Sequence, residues 1–253
     1  MAVESIPVVR VDEVFHVGAL NAALRGACGD SQEGSCLSVS LCPQAWTEIA
    51  RLGGSPTWRL TRRGAVFLDI HRAMADPQLL AAVLEWGRNE GLCAPAQRFR
   101  SYQWDSDFDD WRYMLCTTHE EALNEIVDET DSWETDGPGG GPLVREVTVN
   151  RGTTALSALV GVSERQLDDC DDLVLMAWAM KTVGPVDGVW WTETYDPQGL
   201  SAPRGGIFPE AVIGWRSEAT DAHERDDLDL LESADYEATL AVFATGAAAV
   251  ANS

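Results

Sequence analysis

Basic residues are scarce in this sequence. Its 253 residues include 18 Lys and Arg against 41 Asp and Glu, which gives a formal net charge of −23. A surface this negative repels a phosphate backbone, so direct nucleic-acid binding is disfavoured. The acidic residues cluster at 105–110, 128–136, 168–172 and 221–237. Three explanations fit this clustering: adaptation to high salt or to solubility, a basic protein partner, or carboxylates that mimic the phosphates of nucleic acid.

Long apolar runs and paired-cysteine motifs are also missing. No apolar stretch approaches the roughly 18 residues that a membrane helix requires. Residues 1–30 lack a basic segment followed by an apolar one, so we expect a cytoplasmic protein without a secretory leader. The six Cys are irregularly spaced and no Cys-x-x-Cys occurs, which favours reduced, packed thiols over a zinc site. We therefore expect no metal, the one alternative being convergence of Cys28, Cys36 and Cys42 with His16.

The hydrophobic pattern favours a single α+β domain over 1–253. No Gly-x-Gly-x-x-Gly and no Walker-type loop occurs, so two common nucleotide-binding folds have no support. Short strands and helices follow one another in irregular order, which argues against a doubly wound sheet. The predicted strands are 6–18, 37–41, 57–62, 65–70, 143–150, 188–194 and 206–208. The predicted helices are 43–52, 77–89, 107–129 and 163–180, with a helical C-terminal segment at 226–251. An acidic, Gly-rich stretch at 130–142 is predicted to be a mobile loop.

Two segments near the N-terminus carry polar side chains suited to a ligand cleft. The first predicted strand contains His16, followed closely by Gly18. A neutral imidazole offers one donor and one acceptor, and a glycine lets a ligand approach the backbone. In the second segment, Ser38 and Ser40 share one face because side chains alternate along a strand. We therefore predict that the His and the two serines line one cleft for a polar small molecule.

The order of these segments resembles the ADP-ribosyltransferase fold. A first strand with a His followed by a Gly, and a Leu-Ser-x-Ser segment that leads into a helix, are both similar to this family. Later segments are similar as well, namely Phe67-Leu68-Asp69, Asp187-Gly188-Val189-Trp190-Trp191 and Gly206-Ile207-Phe208-Pro209. The resemblance implies a split mixed or antiparallel sheet with flanking helices. It also implies that NAD is the substrate and that a macromolecule accepts its ADP-ribose.

The resemblance further implies roles for individual residues. His16 would hold the nicotinamide ribose, and the remaining contacts to NAD would come from Gly18, Ser38, Ser40, Trp191 and Arg204. The slot of the family's catalytic Glu falls within 201–205, which contains Arg204 and no carboxylate. Glu193, one strand earlier, is the candidate for electrostatic stabilisation of an oxocarbenium-like transition state, with Glu210 as the alternative.

Two hypotheses of different kinds follow. The first is an NAD-dependent ADP-ribosyltransferase, or an NAD glycohydrolase, with a macromolecular acceptor; the acidity of the chain favours a basic protein in that role. The second is a non-enzymatic acidic inhibitor or interaction protein that binds a basic partner, mimicry of DNA included. A degenerate transferase fold that binds a nucleotide without chemistry is a third option.

Overall fold

Two β-sheets and five α-helices make up the described part of the chain. The structure is a computed structural model, and it describes residues 6–20, 33–43, 47, 51–105, 110–128, 144–184, 186–191 and 204–220. The predicted loop at 130–142, the predicted helix at 226–251, most of the predicted helix at 43–52 and the candidate Glu193 lie outside these residues. None of the described helices is long and apolar enough to cross a membrane.

Eight strands form one large mixed sheet. Numbered along the chain, all the strands are β1 (Val8–Arg10), β2 (Glu13–Val17), β3 (Leu37–Ser40), β4 (Thr57–Thr61), β5 (Val66–Asp69), β6 (Cys93–Asp105), β7 (Asp110–Cys116), β8 (Val144–Gly152), β9 (Gly188–Trp191), β10 (Arg204–Ile207) and β11 (Arg216–Thr220). The large sheet has the order β1-β5-β9-β10-β3-β2-β4-β11. Strands β5 and β9 are parallel, and the other neighbours are antiparallel. The predicted α+β class with a mixed sheet is therefore confirmed.

The chain has five described α-helices, and the start of the second shows how the sequence caps a helix. They are α1 (Ile70–Ala75), α2 (Pro77–Asn89), α3 (His119–Asp128), α4 (Thr154–Val160) and α5 (Asp171–Thr182). The carboxylate of Asp76 accepts hydrogen bonds from the amides of Gln78 and Leu79, at 3.0 and 3.1 Å. Pro77 occupies the first helical position, where its missing N–H has no intrahelical role. The predicted helix at 77–89 is confirmed.

The large sheet carries a separate hydrophobic core on each face. Helix α5 belongs to the first core, and all of its residues from 173 to 179 are buried. Leu68, Val189 and Trp191 join this core from the sheet, and we call their side the helix-covered face. The second core lies on the opposite face and includes Val14, Leu37, Val39, Phe67 and Trp190. Adjacent residues of a strand point to different faces, which is why Trp190 and Trp191 contribute to different cores.

The second sheet corrects the helix predicted at 107–129. Strand β6 pairs with both β7 and β8, in the order β7-β6-β8, and all pairs are antiparallel. Residues 110–116 are therefore strand, because pairings such as Tyr102 with Tyr113 override the local helical spacing. Helix α3 starts only after Thr118, whose hydroxyl accepts from the Glu121 amide at 3.1 Å while the Glu121 carboxylate accepts from the Thr118 amide at 3.0 Å. This capping box is a sequence signal for the true start of the helix.

Three other elements differ from prediction. The strand expected at 6–18 is divided into β1 and β2, because residues 11–12 interrupt the pairing. The helix expected at 163–180 begins as a short 3-10 turn at Glu164–Gln166, and the α-helix starts only at residue 171. The strand expected last, at 206–208, begins at residue 204 and is followed by β11.

Candidate functional site

His16 is buried within the sheet and its ring contacts the backbone. Its side chain is 5% exposed. The Nδ1 atom lies 2.7 Å from the carbonyl oxygen of Ser38, and Nε2 lies 3.3 Å from the carbonyl oxygen of Ala19. Both ring nitrogens thus face protein carbonyls, so the imidazole helps to join β2 to β3.

The His16 ring contacts the backbone of Ser38, but the side chains of Ser38 and Ser40 lie on the other face of the sheet. Phe15, not His16, is the cross-strand partner of Ser40, and paired residues point to the same face. His16 shares the face of Val14, which belongs to the second core. The two serines alternate with Leu37 and Val39 of that same core and therefore lie on the helix-covered face. The expectation that all three side chains line one cleft is corrected, because a single-residue step along β2 places the imidazole on the other side of the sheet.

Gly18 has a backbone reason to be glycine. Its φ angle is +124°, a region that side chains disfavour. Its carbonyl accepts a hydrogen bond from the Trp58 indole at 2.9 Å, and its amide donates to the Pro56 carbonyl at 2.8 Å. The His-x-Gly pattern is thus accounted for by the turn that follows β2.

Ser38 and Ser40 share a face but differ in their surroundings. The Ser40 hydroxyl accepts from the Cys42 amide at 3.1 Å, which stabilises the turn after β3. The Ser38 hydroxyl oxygen is buried and has no hydrogen-bond partner among the described residues.

Arg204 lies close to Trp191 and to a buried carboxylate that the sequence patterns did not single out. Strand β10 places Arg204 opposite Ser40 on one side and opposite Trp191 on the other. Its Nη1 is 3.5 Å from Oε1 of Glu33, whose side chain is only 2% exposed. Its guanidinium carbon lies 5.5 Å from the centroid of the Trp191 ring. Gly206 lets the segment that carries Glu33 pack closely on β10, since a Cβ there would lie 2.8 Å from the Cβ of Cys36 and 3.5 Å from that of Glu33. Arg204 therefore has an internal counter-ion.

A cavity of about 440 Å³ opens where the two sheets meet the start of α5. Trp191 of the large sheet and Tyr113 of the small sheet contribute aromatic rings to its lining, and His71 contributes from α1. Its acidic lining comes from one short segment and consists of Asp168, Asp169, Asp171 and Asp172. The cavity thus combines aromatic walls with carboxylates.

The first two carboxylates of the cavity are paired with arginines of the small sheet. Oδ1 of Asp168 accepts from Nη2 and Nε of Arg98, at 2.8 and 3.1 Å, and lies 3.2 Å from Nε of Arg151. Oδ2 of Asp169 accepts from Nη2 of Arg100 at 2.9 Å. These contacts join the small sheet to the segment before α5, and they neutralise both charges.

The other two carboxylates are not bonded directly to an arginine of the described residues, although Arg88 lies near Asp171 and donates to the Asn150 side-chain oxygen at 3.3 Å. Oδ1 of Asp171 accepts from the side-chain Nδ2 of Asn150 at 2.9 Å, and Oδ1 of Asp172 accepts from the Leu173 backbone amide at 2.8 Å. Among the described residues neither forms an ion pair. Burial raises the pKa of both carboxyl groups, and neighbouring carboxylates raise it further. For Asp171, the hydrogen bond from Asn150 and the charge of Arg88 act in the opposite direction, but the pKa remains raised. Their position in the first turn of α5 is favourable for carboxylates, because the helix dipole is positive there.

The described thiols are inert in character. The five cysteines in this part of the chain are buried and free. Burial raises the pKa of Cys93, Cys116 and Cys170, so these thiols are poor nucleophiles. No group of three or more His, Cys, Asp or Glu among the described residues is arranged to hold a metal ion.

Sequence reasoning marked 168–172 as an acidic cluster but could not separate its members. The distinction depends on Arg98 and Arg100, which lie about seventy positions earlier in the chain, and on the pairing of β6 with β8. Local spacing carries no signal for such contacts.

Comparison of the chain with protein-family models, with curated proteins and with solved structures finds no match.

Proposed function

We propose that this chain is a non-enzymatic interaction protein that binds a basic protein partner. The observation that carries the proposal is how the chain uses its cations. Seven of its arginines form ion pairs with the chain's own acidic side chains: Arg59, Arg62, Arg72, Arg98, Arg100, Arg151 and Arg204. These seven arginines pair with six acidic side chains, so 11 of the 18 basic residues remain against 35 of the 41 acidic ones in the whole sequence.

Helix α3 shows this surplus locally. It carries Glu120, Glu121, Glu125 and Asp128, and it contains no Lys or Arg. Glu120 and Glu121 are exposed, whereas Ala122 is buried against the small sheet. A solvent-facing surface of one charge sign steers an oppositely charged protein towards it and speeds association.

The partner is tested with a panel of small basic proteins, measured by calorimetry against the full chain. An unrelated acidic protein of the same net charge serves as the control. We expect one member to form a 1:1 complex that persists near 0.15 M salt, where the screening length is about 8 Å, and whose affinity falls as salt rises. Binding no stronger than that of the control, for every member of the panel, would contradict the proposal.

The ADP-ribosyltransferase hypothesis is kept as a second candidate because of one observation. Ser38, Arg204 and Trp191 lie on the same face of adjacent strands, and the Ser38 hydroxyl is buried without a described partner. A hydroxyl, a guanidinium and an aromatic ring are suited to a ribose, a phosphate and a base. The position of His16 on the other face weighs against the assignment.

This second candidate is tested by release of nicotinamide from NAD. The wild-type chain is compared with His16→Ala and Glu193→Gln, and with Ser38→Ala as a variant of the helix-covered face. Release that Ser38→Ala and Glu193→Gln abolish would favour the transferase over the interaction protein. Absence of release in the wild-type chain, with a basic acceptor protein supplied, would exclude it.

A further inference from the structure

We infer that the cavity between the two sheets is a binding site for a guanidinium group, contributed by an arginine side chain of the basic partner. This inference rests on the proposed function and adds the site and the chemical group that it recognises. The cavity volume of about 440 Å³ lies within the roughly 300–1,000 Å³ range typical of ligand pockets.

The first step of the argument is the distribution of charge around the cavity. Asp168 and Asp169 already have arginine partners from the small sheet. Asp171 and Asp172 form no ion pair among the described residues, although both line the cavity. Arg88 acts on Asp171 through its charge and is joined to it by hydrogen bonds through the Asn150 side chain, whereas no cation of this kind acts on Asp172 among the described residues. A partly buried carboxylate without a cation is unfavourable, and an entering cation removes that cost. The ligand that complements this cavity is therefore positively charged.

The second step is the aromatic lining, which separates a guanidinium from a simple cation. Tyr113 and Trp191 both line the cavity. Each ring already contacts an arginine of the chain itself, Arg100 at 4.5 Å and Arg204 at 5.5 Å from the ring centroid. A planar guanidinium stacks on such rings and presents a fork of N–H donors to carboxylates, whereas an ammonium group does neither as well.

The third step is the exposure of the lining. Tyr113 is 51% exposed and Met74, at the other side of the cavity, is 40% exposed. The cavity therefore opens to solvent between α1 and the small sheet, and a side chain from another protein can enter it. His71, on the same helix as Met74, is exposed as well.

The test uses a small probe, N-acetyl-L-arginine methylamide, titrated into the full chain by calorimetry and NMR. Its neutral isostere with citrulline in place of arginine, and its lysine counterpart, are titrated in parallel. We expect saturable 1:1 binding of the arginine probe, at least tenfold weaker binding of the lysine probe, and no binding of the citrulline probe. Equal binding of the arginine and citrulline probes would overturn the inference, as would no saturable binding of arginine.

A matched pair of variants distinguishes this site from general electrostatics. The double variant Asp171→Asn/Asp172→Asn removes two charges inside the cavity. The double variant Glu85→Gln/Glu90→Gln removes two charges from exposed positions, one in α2 and one directly after it, that do not line the cavity. We expect the first to weaken binding of the arginine probe at least tenfold and the second to leave it within twofold. Equal losses in the two variants would overturn the inference.

The same variants separate the site from the proposed function. If the basic partner binds both variants equally and the arginine probe does not bind, the cavity assignment is wrong and the interaction protein stands. If the arginine probe binds at the cavity but no basic protein binds the chain, the proposed function is wrong, and so is the assignment of the guanidinium to a partner. Asparagine keeps an acceptor oxygen for the Asn150 and Leu173 donors, so both cavity substitutions preserve the local hydrogen bonds.

Discussion

Two regions of the molecule contain buried or partly buried carboxylates, and these carboxylates differ in whether they form an ion pair. In the large sheet, Glu33 is almost fully buried and lies 3.5 Å from the Arg204 guanidinium. At the start of α5, Asp171 and Asp172 line an open cavity. Neither forms an ion pair among the described residues, and Arg88 acts on Asp171 only through its charge. In the first region, the carboxylate therefore faces a cation of the same chain.

This difference shows which acidic residues are available to a ligand. A paired carboxylate such as Glu33 holds strands and loops together, and using it for binding would require breaking the pair. An unpaired carboxylate in a cavity gains a counter-ion only from outside. In a chain with a net charge of −23, the informative property of an acidic residue is therefore its pairing and not its charge alone.

The largest loss of stability is expected when the ion pair between Arg204 and Glu33 is removed. Substitution Arg204→Ala removes the guanidinium that lies beside the Glu33 carboxylate. Breaking a buried pair typically costs about 3–5 kcal/mol, because the remaining charge is left without compensation. We expect a loss of this order in the free energy of unfolding, measured by urea denaturation. Arg204→Lys keeps the charge and serves as the control. A loss below about 1 kcal/mol for the alanine variant would show that Arg204 does not compensate the buried charge of Glu33.

A smaller loss is expected when the packing that permits this pair is disturbed. In Gly206→Ala, the new Cβ would lie 2.8 Å from the Cβ of Cys36 and 3.5 Å from that of Glu33. Overpacking of this kind typically costs about 1–3 kcal/mol. The matched control is Gly184→Ala, where a Cβ would meet nothing within 4 Å. Thermal unfolding should separate the two variants, and equal stability of both would show that β10 is less tightly packed than the structure indicates.

For the carboxylates that line the cavity, we expect a substitution to increase the free energy of unfolding. Burial raises the folded-state pKa of Asp172 above its ordinary value of 3.8. The fold therefore favours the protonated carboxyl, and its contribution to stability is present below pH 3.8 and is lost as pH rises through the folded pKa. Asp172→Asn avoids this loss, so we expect it to be more stable than the wild type at pH 7.

The pH dependence provides the control for this prediction. The stability difference between Asp172→Asn and the wild type should disappear as pH falls to 3.8 and below, where both folded and unfolded carboxyls are protonated. The charged groups that also influence this position, Asp169 and Asp171, are present in both proteins. A stability difference that is constant with pH would indicate a packing effect instead of the removal of a buried charge.

The smallest expected effect concerns the exposed ring of the cavity. Tyr113→Ala removes a ring that contributes at most about 0.5–1 kcal/mol to a cation at an exposed site. We expect the arginine probe to bind about two- to fivefold more weakly. Met114→Ala changes a similarly exposed neighbour that does not line the cavity and should have no effect on the affinity. Equal effects of the two substitutions would remove Tyr113 from the site.

Local signals in the sequence identified elements with their own start and stop. The helix at 77–89 was predictable because Asp76 and Pro77 mark its beginning and its apolar residues follow helical spacing. Strand β7 was not, since Trp111, Tyr113 and Leu115 fit a helix or a strand and only the pairing with β6 decides between them. The capping box formed by Thr118 and Glu121 is a local sequence signal that predicts the start of α3 at its observed position.

The candidate site was less predictable because it depends on register and on distant contacts. His16 and the two serines share a sheet, but the pairing of Phe15 with Ser40 puts the imidazole on the other face. The acidic segment 168–172 was visible, yet the roles of its members depend on arginines of β6. Periodicity reports neither the register between strands nor the partner of a charged side chain.

The central claim is that Asp171 and Asp172 form no ion pair until an arginine enters the cavity. The most direct measurement is an NMR pH titration of these two carboxyl groups, with and without saturating N-acetyl-L-arginine methylamide. We predict that both pKa values lie above 3.8 in the free protein and fall when the probe binds. Ordinary pKa values in the free protein, or values that the probe leaves unchanged, would contradict the claim.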